Sequence, residues 1–334
     1  MSRIDIAVVG AGPCGLGVGI AARKAGLSCT LFDKACVASA ISGYPTFMTF
    51  FSTPERLELG DVPFITSGEK PTRREALRYY QRLARQYALD IRQYENVVHA
   101  ERAADGFHVQ TRTMAGSTHA YGARNVVIAT GYFDHPNSLE VPGEDLPKVL
   151  HRYTEGHVFY DQDCMVVGGG NSAVDAALEL CRWRARVTLV HFGAGLDRGV
   201  KPWVLPDITN RISDGSIAVR WNARVAEIRP ATVLLRDQRD GTTEQLPNDW
   251  VLAMTGYTPD PTLLRALGVG FHDETGVPEH DPATMQTNVD GVFLAGVLAA
   301  GNDANKVFIE NGRDHGDRIV DALLSRPRDS RPEP

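Results

Sequence analysis

"VVGAGPCG", residues 8–15, overlaps the apolar run "IDIAVV" (residues 4–9) and precedes "LGVGIAARKAG" (residues 16–26). That order predicts a buried strand, a glycine turn and a helix closed by Gly26. Each glycine has a mechanical task. Gly10 makes the tight turn, Gly12 lets backbone N–H groups approach a pyrophosphate, and Gly15 allows the helix to pack closely. Pro13 and Cys14 open the helix, whose N-terminus carries partial positive charge for a phosphate group. A second strand, "LSCTLFDK", ends in Asp33 with Lys34 beside it, eighteen residues after Gly15, where an acid meets ribose hydroxyls. A bare G-x-G-x-x-G is weak, but between a strand and a helix, with the acid at this distance, it specifies a dinucleotide cradle.

The device recurs. "MVVGGGNSAVDAALEL" (residues 165–180) places Gly168, Gly170 and Ala173 in G-x-G-x-x-A, with Asn171 and Ser172 in the first helical turn. Its second strand, "RVTLVH", ends in His191 without an acid, and Arg198 and Lys201 follow downstream. An acid there would repel the 2′-phosphate of NADP, so its absence and the two cations favour NADP(H); the plainer reading has both cations solvating a loop. After each cradle comes an alternating segment with turn signals, which predicts a small antiparallel meander. The first meander ends in Ala129-Thr130-Gly131; the second is expected to start at Ile217, in "IAVRWNARVAEI", and ends in Met254-Thr255-Gly256.

The last stretch, "DGVFLAGVLAAGNDANKVFIENGRDHGDRIVDALL", predicts a strand, a turn at Gly296 and a long closing helix begun by Lys306 and Val307. The second meander is already complete, so this part is expected to return to the first domain. The fold class is α/β: two Rossmann-like three-layer dinucleotide-binding domains, the second inserted in the first, each with a small antiparallel meander. The expected boundaries are 1–134 plus 256–326 for the first dinucleotide-binding domain, 135–255 for the second, NADP(H)-binding domain, and 327–334 for a Pro-rich, charged, disordered tail.

Composition narrows the function. The 334 residues are 43% hydrophobic and 23% charged with formal net charge −6, which argues against a nucleic-acid partner. Glycines interrupt the apolar N-terminus, so it reads as strand and turn, not as a leader, and no run reaches membrane-spanning length. The five cysteines form no C-x-x-C, and His151, His157 and His191 show no ligand spacing, so no metal is expected. Reduced thiols in a cytoplasm are the plain reading.

Together "GAGPCG", "IATG", "VVGGGNSAVDAA", "MTGY" and "GVFLAG" resemble the two-dinucleotide flavoprotein reductases of thioredoxin reductase type, over nearly the whole chain. The chain departs from thioredoxin reductase where the redox dithiol would lie, "HRYT" at 151–154, and at Val297, where an acid usually contacts the flavin's ribityl chain. With "GPCG", "ISGYPTFMTFFSTPE", "KPWVLPD" and "AAGNDANKVFIENGRDHG" it is similar to the bacillithiol disulfide reductase (YpdA-type) family. The resemblance implies an enzyme that uses FAD and NADPH to reduce bacillithiol disulfide, a homodimer or higher homo-oligomer, with 1–134 plus 256–326 the FAD-binding domain and 135–255 the NADP(H)-binding domain. It implies that Val97 and Val98 lie by the adenine, and that Lys306 and Val307 lie near the flavin's N1 and C2 carbonyl, the plainer reading of Lys306 being a surface lysine at a helix start. Thr49 and Phe50 in "FMTFFSTPE" are candidates to line the flavin, with core aromatic packing the alternative for Phe50 and Phe51. It also implies thiol chemistry at Cys14.

From the residues alone Cys14 reads two ways. A thiol in the first turn of a helix sees a dipole that lowers its pKa, yet cysteine is also one of several small residues that fit a crowded turn. The alternatives to a disulfide reductase are a ferredoxin/flavodoxin–NADP reductase, a flavin monooxygenase and a nucleotide sensor without turnover.

Overall fold

Apolar runs with no polar alternation, such as residues 6–9, suit strands covered on both faces, and the first of them sits at the centre of the parallel part of a mixed sheet. The computed structural model describes residues 3–303 and 306–326, so the expected tail at 327–334 lies outside the described residues. The chain divides into two compact units: Met1–Gly43, Phe47–His135 and Thr258–Pro334 form one, and Tyr44–Thr46 with Pro136–Tyr257 the other.

The first unit opens with β1 (Ile4–Val9), α1 (Pro13–Lys24) and β2 (Cys29–Asp33). Helix α2 (Arg73–Gln86) follows, held at its start by a Thr72–Glu75 capping box. Then come β3 (Asp90–Gln93), β4 (Glu95–Ala103), β5 (Gly106–Thr113) and β6 (Thr118–Ile128). The strands lie in the order β3-β2-β1-β6-β5-β4. Strand β6 does two jobs: its first half pairs antiparallel with β5, and its last half pairs parallel with β1. The meander is therefore continuous with the nucleotide-binding sheet.

The second unit repeats the plan with one rearrangement. It contains β7 (Val149–Leu150), β8 (Asp163–Val167), α3 (Asn171–Arg182), β9 (Arg186–His191), α4 (Leu205–Ser213) and β10 (Ile217–Trp221). The meander β11 (Ala223–Ile228), β12 (Thr232–Asp237) and β13 (Thr243–Pro247) precedes β14 (Trp250–Ala253). The parallel sheet runs β10-β9-β8-β14-β7, and the meander forms its own three-stranded sheet. Ile217–Trp221, expected within the meander, is instead the parallel edge strand beside β9. Pro247 explains the separation of the meander from β14, because proline cannot carry a ladder onward. One face of the sheet buries Cys164, Val166 and Leu189 with Val174, Leu178 and Ile208 of the helices. The other buries Met165, Val190 and Val251 against Val225, Val233 and Leu235 of the meander. These are three layers.

The chain then re-enters the first unit, where β15 (Val292–Leu294) pairs parallel with the end of β6 and α5 (His315–Leu324) packs on α1. The closing helix is shorter than expected. Lys306 and Val307 precede it; a short helix at Ile309–Gly312 comes first, and α5 starts at His315. Asn311 sets the start of the short helix, because its side chain accepts the Phe308 N–H at 2.7 Å and donates to the Lys306 carbonyl at 2.8 Å. Among the described residues no helix is long and apolar enough to cross a membrane.

Candidate functional site

The first cradle is built by backbone crowding. Gly10 has φ +113°, a conformation side chains resist, and a Cβ there would run into the Ala129 carbonyl. A Cβ on Gly15 would run into the Gly10 carbonyl. Gly12 is the opposite case, with nothing of the protein within 4 Å of a Cβ. The end of β1 is thus locked against the end of β6, where Ala129 N–H donates to the Val9 carbonyl at 2.8 Å, while one side of the turn stays open. Thr130 and Gly131 leave β6 at this same edge.

Asp33 braces the turn. Its two carboxylate oxygens accept the Ala11 and Ala35 N–H groups, both at 2.8 Å, and burial raises its pKa against the pull of those bonds. Each oxygen keeps a lone pair for a ribose hydroxyl. Lys34 pairs with Asp134 at 3.1 Å. Thr49 forms a bridge with Thr72, and Val98 is the extra residue of a bulge in β4 between Val97 and His99.

Cys14 lies in the first turn of α1, under the returning C-terminal segment. A Cβ on Gly312 would stand 2.9 Å from Cys14 Sγ, and one on Gly296 3.0 Å. Although the residue keeps some exposure, this packing pushes its thiol up to about 12 by desolvation. The expected lowering by the helix dipole is overridden. Burial pushes Cys29 and Cys164 equally far, so position, not acidity, distinguishes Cys14. Among the described residues Sγ has no hydrogen-bond partner, and all five cysteines are free.

Two supporting features escape a sequence reading. His315 Nδ1 accepts the Gly296 N–H at 3.1 Å, fixing the turn over Cys14, and burial pushes the imidazole down to about 4. Glu310 takes the Ser52 hydroxyl and, at 3.0 Å, the Arg56 guanidinium, while Arg313 Nη1 donates to the Glu55 carbonyl at 2.5 Å. "FFSTPE" is therefore a clamp on the C-terminal segment. Val307 Cγ1 stands within 3.4 Å of a Cβ on Gly312, whereas the exposed Lys306 pairs with Asp303 at 3.5 Å.

The second cradle repeats the crowding. Gly168 has φ +142° and abuts the Met254 carbonyl, and Ala173 is buried beneath it. Gly170 caps α3, whose first turn carries no acid. Ser172 is exposed there, and Asn171 bonds the Gly199 carbonyl and the Lys201 N–H, both at 3.0 Å. Gly256 closes the sheet edge, accepting the Asn137 N–H at 3.0 Å.

Two expectations about the nucleotide's 2′ position fail. Lys201 is buried, with its ammonium 2.7 Å from Asp175, and so is committed inside the unit. The end of β9 also has an acid after all. The loop after His191 folds back, so that Asp197 donates its N–H to the Gly169 carbonyl at 3.0 Å and sets its carboxylate 3.4 Å from His191 Nε2. Spacing along the chain hid this acid.

Two glycine-turn cradles at the ends of parallel strands, each leading into a helix whose first turn holds no acidic residue, define a two-dinucleotide oxidoreductase. The chain belongs to the pyridine nucleotide-disulphide oxidoreductase family, whose model matches residues 7–296, and within it to the bacillithiol disulfide reductase (YpdA-type) group. It is 43% identical over 321 residues to the bacilliredoxin reductase Bdr of Bacillus subtilis (strain 168), covering 96% of this chain and 97% of that one. The solved bacillithiol disulfide reductase Bdr (YpdA) of Bacillus cereus is 43% identical with TM-score 0.95, covering 98% and 100% of the two chains. That of Staphylococcus aureus is 38% identical with TM-score 0.92, covering 97% and 99%. The protein is an oxidoreductase whose cofactors are FAD and NADPH.

Proposed function

We propose that the protein reduces a low-molecular-weight disulfide, bacillithiol disulfide, at the expense of NADPH, with FAD in the first cradle and the nicotinamide coenzyme in the second. The observation that carries this reading is Cys14, a lone thiol at the open glycine turn in a chain without C-x-x-C, together with near-complete coverage by relatives whose names carry that substrate. Bound FAD and NADPH supply an electron pair for reducing a disulfide.

The chain's own residues hold and orient. Gly12 and the first N–H groups of α1 take the pyrophosphate, and Asp33 takes the ribose beside Ala11. Ala129, Thr130, Gly131, Thr49, Val98, Lys34, Gly296 and Val307 complete the FAD surface. Gly168, Gly170, Asn171, Ser172, Ala173, His191 and Gly256 line the second cradle. Cys14 is a protonated thiol in the resting protein, so attack on a substrate sulfur requires it to lose that proton. The Sγ–S bond then forms as the S–S bond breaks, and one bacillithiol leaves as thiol with the proton.

The raised thiol pKa also favours a second reading, in which the disulfide is reduced without a covalent bond to Cys14. One comparison separates them. The FAD-loaded protein and Cys14→Ala are assayed for NADPH consumption with bacillithiol disulfide, ferredoxin and oxygen. We expect turnover with the disulfide only, and a fall of about a hundredfold in the variant with FAD retained. Unchanged turnover in the variant selects the direct route; turnover with ferredoxin or oxygen alone rejects the disulfide. The reading extends to a homo-oligomer working in a bacterial cytoplasm, supported by the resemblance.

A further inference from the structure

In the second cradle the charges stand opposite to those a 2′-phosphate calls for. The Asp197 carboxylate lies against the turn, with one oxygen 3.4 Å from a Cβ on Gly170 and the other 3.4 Å from His191 Nε2. It is half exposed, while the His191 ring beneath it is buried, wedged against Gly169 with a Cβ there 2.6 Å away. The Nδ1 of that ring is buried without a partner. In dinucleotide cradles an acid at the end of the second strand accepts from ribose hydroxyls, whereas an arginine accommodates a 2′-phosphate. Asp197 occupies that place by folding back, twenty-four residues beyond Ala173 in the chain.

The nearby cations do not cancel it. Lys201 is held by Asp175, and the Arg224 guanidinium lies 4.8 Å over the Phe192 ring with its Nε on Gln238 at 2.9 Å. Arg198, exposed and without a partner among the described residues, is next to Asp197 in the chain.

We propose that Asp197 accepts hydrogen bonds from the adenosine ribose hydroxyls, and that the second cradle therefore takes NADH as well as NADPH, with Arg198 the group that retains the 2′-phosphate. This rests on the reading that the second cradle is the nicotinamide coenzyme's site. A phosphate dianion brought beside the Asp197 carboxylate is repelled, and Arg198 offsets the repulsion. A free ribose meets an acceptor.

Titration calorimetry on the FAD-loaded protein tests this without turnover, using 5′-AMP and adenosine 2′,5′-bisphosphate as probes. In the wild type the two are expected to bind within about tenfold of each other. Asp197→Asn is expected to tighten the bisphosphate about tenfold and weaken AMP severalfold. Arg198→Ala is expected to weaken the bisphosphate about tenfold and leave AMP unchanged. Affinities unmoved by Asp197→Asn, or a wild type that already favours the bisphosphate about a hundredfold, would overturn the proposal. The underlying reading fails separately: if neither probe binds and NADPH does not bleach the flavin, the second cradle is not the coenzyme site. Bleaching by NADPH with affinities indifferent to Asp197 removes this proposal alone.

Discussion

His315 and Cys14 meet on either side of Gly296, one holding its N–H and the other packed beneath its Cα. Both are titratable groups kept neutral by burial, so both tie stability to pH, in opposite directions. His315 moves from the ordinary 6.5 down to about 4, chiefly through burial, with Arg318 and His280 adding and Asp314 opposing. Between those values the unfolded chain binds a proton that the folded one refuses, so stability falls as pH drops through the window. His315→Asn keeps an acceptor for Gly296 and removes the titration. Between about pH 6.5 and 4 the wild type should lose about 3 kcal/mol more than the variant, read from urea melts at each pH. Equal losses would show that the imidazole is not buried as described. Cys14 acts at the other extreme: its folded pKa is raised, so its contribution is present below the unfolded value of 9.0 and lost as pH climbs toward about 12.

At the scale of elements, the two glycine turns were legible because their requirements are local. A strand, three small residues at fixed spacing and a helix start are written within sixteen residues, and backbone crowding at Gly10 and Gly15 is the physical counterpart of that spacing. Substitutions should separate the structural glycine from the binding one. Gly15→Ala meets backbone that cannot yield and should cost about 3 kcal/mol or more, or abolish folding. Gly12→Ala meets no protein atom, so, compared without FAD, its melting should stay within about 1 kcal/mol of wild type, while FAD added to the variant is lost on desalting. Equal FAD retention in Gly12→Ala and the wild type would place the pyrophosphate elsewhere. What could not be read was whatever depends on return through space. Strand β7 is two residues long and exists only because Val149 and Leu150 find Val251 and Leu252. Asp197 reaches the turn through a loop containing Gly193 and Gly195, whose freedom carries no signal about where the loop goes. The start of the closing helix is not legible because no side chain caps it at Asp314, and a separate four-residue helix, capped by Asn311, comes before it.

For the whole molecule, the second unit owns everything a domain needs. It has a core on each face of its sheet, and it draws its outermost strand, β7, from chain that precedes the cradle. The first unit draws the equivalent strand, β15, from the far end of the chain. Excised as residues 136–257, the second unit should fold alone and melt cooperatively by circular dichroism. A broad, non-cooperative melt would mean that its core is incomplete.

The two ends of that unit are stitched together. Asn137 donates its N–H to the Gly256 carbonyl at 3.0 Å, its side-chain amide to the Thr255 carbonyl at 3.0 Å, and accepts the Thr255 hydroxyl at 2.6 Å on its own carbonyl. On the host side Thr258 N–H reaches the His135 carbonyl at 2.9 Å. A guest with joined ends shortens the detour its host must close: shrinking a loop of about 120 residues to a few spares about 3 kcal/mol of chain entropy. The order of assembly at the ribosome follows. The host's opening half, made first, has to wait, and the guest, by tying its own knot of hydrogen bonds, hands the remaining strand and helix back to a partner already standing beside them.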